Sequence, residues 1–187
     1  MNWPLAVPLL LLLVACPKKT ELTTMSKWVP TPYTADQIRD AMPTDTRLVF
    51  RVTLPERTEV WDWRVTEAAP DSVVFLYKTI VPGGGPDAST ETSARSLWSE
   101  LRDHERFERE ALTVTPHEAK VAAGAFEAHR YTVETTTDAG ETSTKHMDFA
   151  VDVAGPPVYV EHLIDGQRVM TMELMSRASL IRHTPTP

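Results

Sequence analysis

The sequence predicts an α+β domain: a single strongly bent antiparallel sheet, half-barrel-like, of about eight to ten strands, with two short helices. Three observations lead there. Alternation of apolar and polar residues with period two dominates from about Thr46 almost to the C-terminus. Helical spacing appears in only two stretches, both short. The connections are of hairpin length, too short for the crossovers that parallel strands need.

The first helix is announced by its cap. Thr34 and Gln37 have capping-box spacing, and Tyr33 with Ile38 has the spacing of a hydrophobic staple. A helix starting at Ala35 places Ile38, Ala41 and Met42 on one side and stops at Pro43. Leu48, Phe50 and Val52 then share a face of a strand over Thr46 to Thr53, and Trp61, Trp63 and Val65 share a face of the next, opposed by Asp62 and Arg64. In a third strand Val73, Phe75 and Tyr77 oppose Val74, Leu76 and Ile80. Apolar residues on both faces predict a central position. Pro82-Gly83-Gly84-Gly85-Pro86 ends it in a loop. A second helix is expected over Ser96 to Arg106, with Leu97, Trp98 and Leu101 on one stripe. Strands resume near Ala111.

The last hairpin turns on Asp165-Gly166. A two-residue loop there pairs Ile164 with Gln167 and puts Val158 and Val160 on the face of Thr171 and Glu173. A three-residue loop over Ile164 to Gly166 instead unites Val158 and Val160 with Met170, Met172 and Leu174. A single buried face favours this second register and its bulge.

The N-terminus carries a different signal. Every residue from Leu5 to Ala15 except Pro8 is apolar, and Cys16, the only cysteine, follows at once. Such a run is far shorter than the roughly 20 residues a spanning helix needs. It suits the apolar part of a signal peptide. Leu13-Val14-Ala15-Cys16 resembles the lipobox of bacterial lipoproteins. The resemblance implies removal of residues 1–15, lipidation of Cys16 and attachment to a membrane of the bacterial cell envelope, on its periplasmic or surface side. Two or three acyl chains suffice for stable anchoring, each buried CH₂ contributing about 0.8 kcal/mol. The expected organisation is therefore signal peptide 1–15, flexible tether 16–32, one globular domain 33–182 and a tail 183–187. A short helix followed by a meander also resembles the bent-sheet envelope lipoproteins that carry lipids or lipoproteins between membranes. Gly124-x-Phe126, Tyr131-x-Val133 and Gly155-Pro156-Pro157-Val158 are similar to uncharacterised lipoproteins of that build.

Composition narrows the function. An apolar fraction of 42% with 24% charged residues belongs to a folded protein. A net charge of −7 and a pI near 5.4 argue against a nucleic-acid partner, which needs clustered Lys and Arg. With one cysteine, spent on the anchor, no disulfide supports the core.

Catalytic signals are missing from the motifs. Gly83 to Gly85 is followed by Pro86, not by the Lys-Ser or Lys-Thr of a phosphate loop, and there is no Gly-x-Ser-x-Gly elbow. His146 and Asp148 share a strand face, with His129 and His162 on neighbours. Met147, Phe149 and Val151 oppose them, so both are expected outward and solvated, with no metal site. Glu161 and Asp62 are expected to face solvent. No cofactor is implied. The remaining candidates are Trp61 and Trp63 on one strand and Met170 and Met172 on another. Such residues fill cores, and they also floor apolar cavities. The sequence thus describes a lipid-anchored, non-enzymatic envelope protein, a structural or accessory binding module. Its partners are the membrane and a hydrophobic ligand or an envelope protein, and the alternative role is carrier of a hydrophobic ligand or lipid in a bent-sheet cavity.

Overall fold

A computed structural model describes residues 27–84, 88–104 and 106–178. In chain order the elements are β1 (Trp28–Val29), α1 (Ala35–Ala41), β2 (Arg47–Thr53), β3 (Thr58–Ala68), β4 (Ser72–Ile80), β5 (Ser89–Leu97), α2 (Trp98–Asp103), β6 (Phe107–Glu108), a 3-10 turn (Arg109–Ala111), β7 (Leu112–Val121), β8 (Gly124–Thr136), β9 (Thr142–Ala150), β10 (Tyr159–Ile164) and β11 (Gln167–Ala178). Nine strands form one antiparallel sheet in the order β5-β4-β3-β2-β11-β10-β9-β8-β7, and β1 pairs with β6. The sheet consists of two meanders joined where β2 pairs with β11. β5 lies at one edge and β7 at the other, so the chain between them, with α2, must cross a whole sheet face.

The α+β reading and the strand count hold. The curl does not: the sheet is open, neither closed nor strongly curled. The crossover and both helices cover the apolar face, which removes the need for closure. Leu48, Phe50 and Val52 of β2, Val65 of β3, Val73 and Phe75 of β4, Met147 and Phe149 of β9, Val160 of β10 and Met172 and Leu174 of β11 are all buried on that face. Ile38, Met42 and Trp98 close on them from the helices.

α1 forms as its cap predicts. Gln37 N–H donates to Thr34 Oγ1 (3.2 Å) and Thr34 N–H to Gln37 Oε1 (2.8 Å). Several expectations need correction. β4 lies second from an edge, not centrally. Its outward Val74 and Leu76 stand opposite Arg95 and Arg64 and are half-buried. β5, Ser89-Thr-Glu-Thr-Ser-Ala-Arg-Ser-Leu97, takes the first two residues expected of the second helix. Its polar sequence carries no alternation because it is an exposed edge. The tether expected over 16–32 overlaps the fold, since Trp28 and Val29 pair with Glu108 and Phe107.

The final hairpin joins both readings. Asp165 and Gly166, at φ 47° and 77°, form a two-residue loop with Ile164 opposite Gln167. The extra residue sits inside β11 instead, where the register shifts so that His162 faces Met170 and Val160 faces Met172. The shared apolar face is as expected, but the bulge is in the strand and not the loop.

Cross-strand ion pairs line the outer face: Arg47–Asp62, Arg51–Glu173, Arg168–Glu161 and Arg95–Glu67. Asp148 is the exception to the solvated surface expected there. It points outward but is 1% exposed, and Arg130 closes a fork on it with Nε and Nη2 both at 2.8 Å. His117 Nε2 lies 3.6 Å from the same carboxylate. A buried charge stripped of its partner is costly. Arg130→Met is therefore expected to destabilise the fold by about 3–5 kcal/mol in chemical denaturation. The double change Arg130→Met with Asp148→Leu should recover most of that loss.

Candidate functional site

The apolar face is not completely filled. Between sheet and helices lies a cavity of about 360 Å³. Trp61 and Trp63 of β3, Met170 and Met172 of β11 and Leu48 of β2 form its floor. Phe75 and Tyr77 of β4 form one wall, with Val160 and Phe149 towards the other meander. Its roof is Ile38 and Met42 from the first helix, Leu101 from the second and the Gly155-Pro156-Pro157 loop. Thr31, Ser96, His104 and Lys145 add its polar groups.

The aromatic floor is fixed by a chain of ring contacts. Phe50 meets Trp63 at 4.9 Å between centroids, and Trp63 lies 6.2 Å from Trp61 in a stacked arrangement. Tyr77 stands edge-on to Trp63 at 5.5 Å and stacks with Phe75 at 5.5 Å. Offset and edge contacts at these distances are the favoured aromatic geometries. Trp61 is further held by its indole N–H, which donates to Glu59 Oε2 (2.8 Å). Arg57 Nε donates to the other oxygen of Glu59 at 2.6 Å. The polar atom of Trp61 is thus satisfied by Glu59, which is not among the lining residues. Burial raises the pKa of the Tyr77 hydroxyl.

Arg177 ties the roof together. It donates from Nη2 to Ala41 O, at the C-terminal end of α1, and from Nη1 to Ala154 O at 3.4 Å. A guanidinium suits a helix C-terminus, where carbonyls lack intrahelical partners. Burial pulls its pKa down, although it stays a cation at ordinary pH. Gly155 is favoured as glycine by its φ of +145°, a conformation that L side chains rarely adopt; a Cβ there would also meet the flexible end of Met42, 2.5 Å away. The loop therefore lies against the side chain of Met42, the residue that caps the C-terminal end of α1. Tyr33 adds a further tie, donating its hydroxyl to Ala150 O.

The structure brings Trp61, Trp63, Met170 and Met172 onto one cavity floor. Cys16 lies outside the described residues. The four histidine and aspartate positions weighed for a metal do not converge: His146 Nδ1 bonds Thr132 Oγ1, His162 Nε2 bonds Ser143 Oγ, and His129 is exposed. Among the described residues no group of three potential ligands is found. Sequence reasoning missed Tyr77, Lys145, His104 and the proline loop as lining residues. The core-facing parity of Tyr77 and Lys145 in their strands was the signal available for them.

Glu59 gives the floor a pH dependence. The Trp61 indole N–H first, and Arg57 with it, hold its carboxyl below the ordinary value near 4.5, against the opposing effect of burial. A depressed folded value contributes stability above the unfolded value and loses it as pH falls through the folded one. The Tm of the wild type is therefore expected to exceed that of Glu59→Gln at neutral pH. The difference should shrink on acidification below about pH 4.5, as thermal unfolding across pH would show.

No family model matches the chain, and no curated protein matches it. The chain is similar to MucB, in the crystal structure of MucB in complex with MucA(peri), with a TM-score of 0.48 and 12% identity. That alignment covers 76% of this chain and 53% of the other, so this chain spans about half the length of the protein it matches.

Proposed function

We propose that this protein is a lipid-anchored, non-enzymatic envelope module that holds an apolar ligand between its sheet and its helices. One observation carries the reading: an unfilled, largely apolar space of about 360 Å³ on a Trp- and Met-rich floor. Its volume is at the small end of the range for ligand sites. From sequence alone, an accessory protein with a packed interior ranks ahead of a carrier. The unfilled space reverses that order.

Anchoring rests on the lipobox resemblance of Leu13 to Cys16. Among the described residues no helix is long and apolar enough to cross a membrane, so no membrane-spanning helix stands in for the lipid there. The non-enzymatic part rests on the motifs: the sequence offers no nucleophile elbow, phosphate loop or metal-ligand spacing.

The test uses the chain from Pro17, which keeps every described residue. Titration with an uncharged naphthylamine fluorophore is expected to saturate and to alter tryptophan emission. Met170→Trp, which fills the floor, should weaken binding by about tenfold while the protein still unfolds cooperatively. Absence of saturable binding by a cooperatively folded protein would overturn the ligand reading. For the anchor, Cys16→Ser in the full chain should move the protein from the membrane to the soluble fraction. Retention in the membrane would sink lipidation as the mode of attachment.

A further inference from the structure

We propose that two copies of this chain pair along β5, antiparallel and centred on Ser93, so that their sheets continue into one another. The inference is independent of the cavity reading and starts from the edges of the sheet. An edge strand presents backbone N–H and C=O groups that a further strand can take up, and folds commonly protect such edges with Pro, Lys or a bulge. β7, at one edge, carries Pro116, which has no N–H, and Lys120. β5, at the other edge, has neither residue, and its nine residues pair with β4 without a register shift. Seven of those nine are exposed, and among the described residues no strand pairs with its far side.

The sequence of the strand selects a second copy as its partner. Glu91 and Arg95 are the charged residues of β5, and they flank Ser93, the middle of the strand, at equal distance. When Ser93 meets Ser93, the two strands overlap over their full length, Ser89 against Leu97 and Leu97 against Ser89. The same register sets Glu91 opposite Arg95 of the second copy, and Arg95 opposite its Glu91. Full overlap and charge complementarity thus select one register. A slip of one residue sets the outer face of one copy beside the apolar face of the other. A slip of two separates both charge pairs, and a slip of four sets Glu91 against Glu91 or Arg95 against Arg95. The pairing also extends a row already built into the outer face, where Asp62 of β3, Lys78 of β4 and Glu91 of β5 stand side by side with alternating sign. Arg95 of the second copy supplies the next positive charge. Its terminal nitrogens donate to its own Glu67 (2.7 Å) and Ser72 (3.2 Å), and a guanidinium with five N–H groups keeps donors for Glu91. The two-fold axis runs perpendicular to the sheet, so both apolar faces and their helices lie on one side of the dimer.

The experiment follows the chain from Pro17 by sedimentation velocity over a range of concentrations. A monomer–dimer equilibrium is expected with a Kd of about 10–100 μM, as suits a strand-edge contact without an apolar centre. Glu91→Arg alone and Arg95→Glu alone each set like charges opposite each other at both positions, and each should weaken association about tenfold. Mixed in equal amounts, the two variants set opposite charges at both positions, and association should return to the wild-type level. A general loss of stability cannot produce that recovery. A second arm leaves Arg95 and its contact with Glu67 untouched. Cys16 is the only cysteine, so Ser93→Cys in the chain from Pro17 places a lone thiol from each copy at the two-fold axis. Oxidised glutathione is expected to link these into a covalent dimer, whereas Ser89→Cys, whose thiols lie about 27 Å apart in the paired strands, should stay unlinked. A monomer at every concentration overturns the proposal and leaves the edge to a strand of another protein. Failure of the mixed variants to recover, or equal linking through Ser89→Cys and Ser93→Cys, overturns this register.

Discussion

The whole structure answers to a shortage of cover. Nine strands about 4.8 Å apart make a sheet roughly 38 Å wide, with an apolar face to remove from water. The helices available are seven and six residues long, about 10 Å and 9 Å of cylinder at 1.5 Å per residue. They cannot roof such a face. The chain makes up the difference with irregular segments: the crossover from β5 to β7, the loop between β9 and β10, and the β7–β8 turn, where Ala123 N–H donates to Leu174 O at 3.0 Å. The cavity is the space that this patchwork cover leaves between itself and the sheet.

Irregular cover must be tied down, and the bulges of β11 help to do it. Met170, Met172 and Leu174 alternate onto the apolar face, and unbroken parity would put Arg168 and Ser176 there too. The shift between His162 and Leu163 turns Arg168 to the outer face, where Glu161 accepts its Nε at 2.6 Å. The shift between Leu174 and Ser176 turns Arg177 inward opposite Leu48, where it reaches Ala41 and Ala154. Two single-residue irregularities thus decide which arginine clamps the roof and which joins the outer ion pairs. A regular strand of the same sequence would bury Arg168 and leave the roof unclamped.

What the sequence made legible follows from the same physics. The Thr34–Gln37 cap and the alternation in β2 and β3 are local patterns and could be read directly. The common face of Val160 and Met172 could be read because it needs only parity. The position of the compensating bulge could not, because a bulge in the loop and one within the strand yield the same parity beyond it. β5 was illegible because an exposed edge strand buries neither face and has no alternation to display. The burial of Asp148 was hidden because its partner Arg130 lies 18 residues away and looks solvated by composition. The Trp61–Trp63 pair was visible throughout, but whether it fills a core or floors a cavity depends on the length of helix that covers it.

Energetics decide how that space can exist. Residual cavities in cores cost about 24 cal/mol per Å³, which for about 360 Å³ is about 9 kcal/mol. A whole domain has only about 5–15 kcal/mol of net stability. A sealed void of this size would consume most of that margin, so the space must admit solvent or an occupant. The partly exposed Trp61, Trp63 and Met170 agree with an open mouth, since closed packing would have buried them with Phe50 and Met172. With water inside, these apolar side chains stay hydrated and the floor forgoes much of its hydrophobic stabilisation. An apolar ligand that displaces that water restores it, so binding and folding stability should rise together at this site.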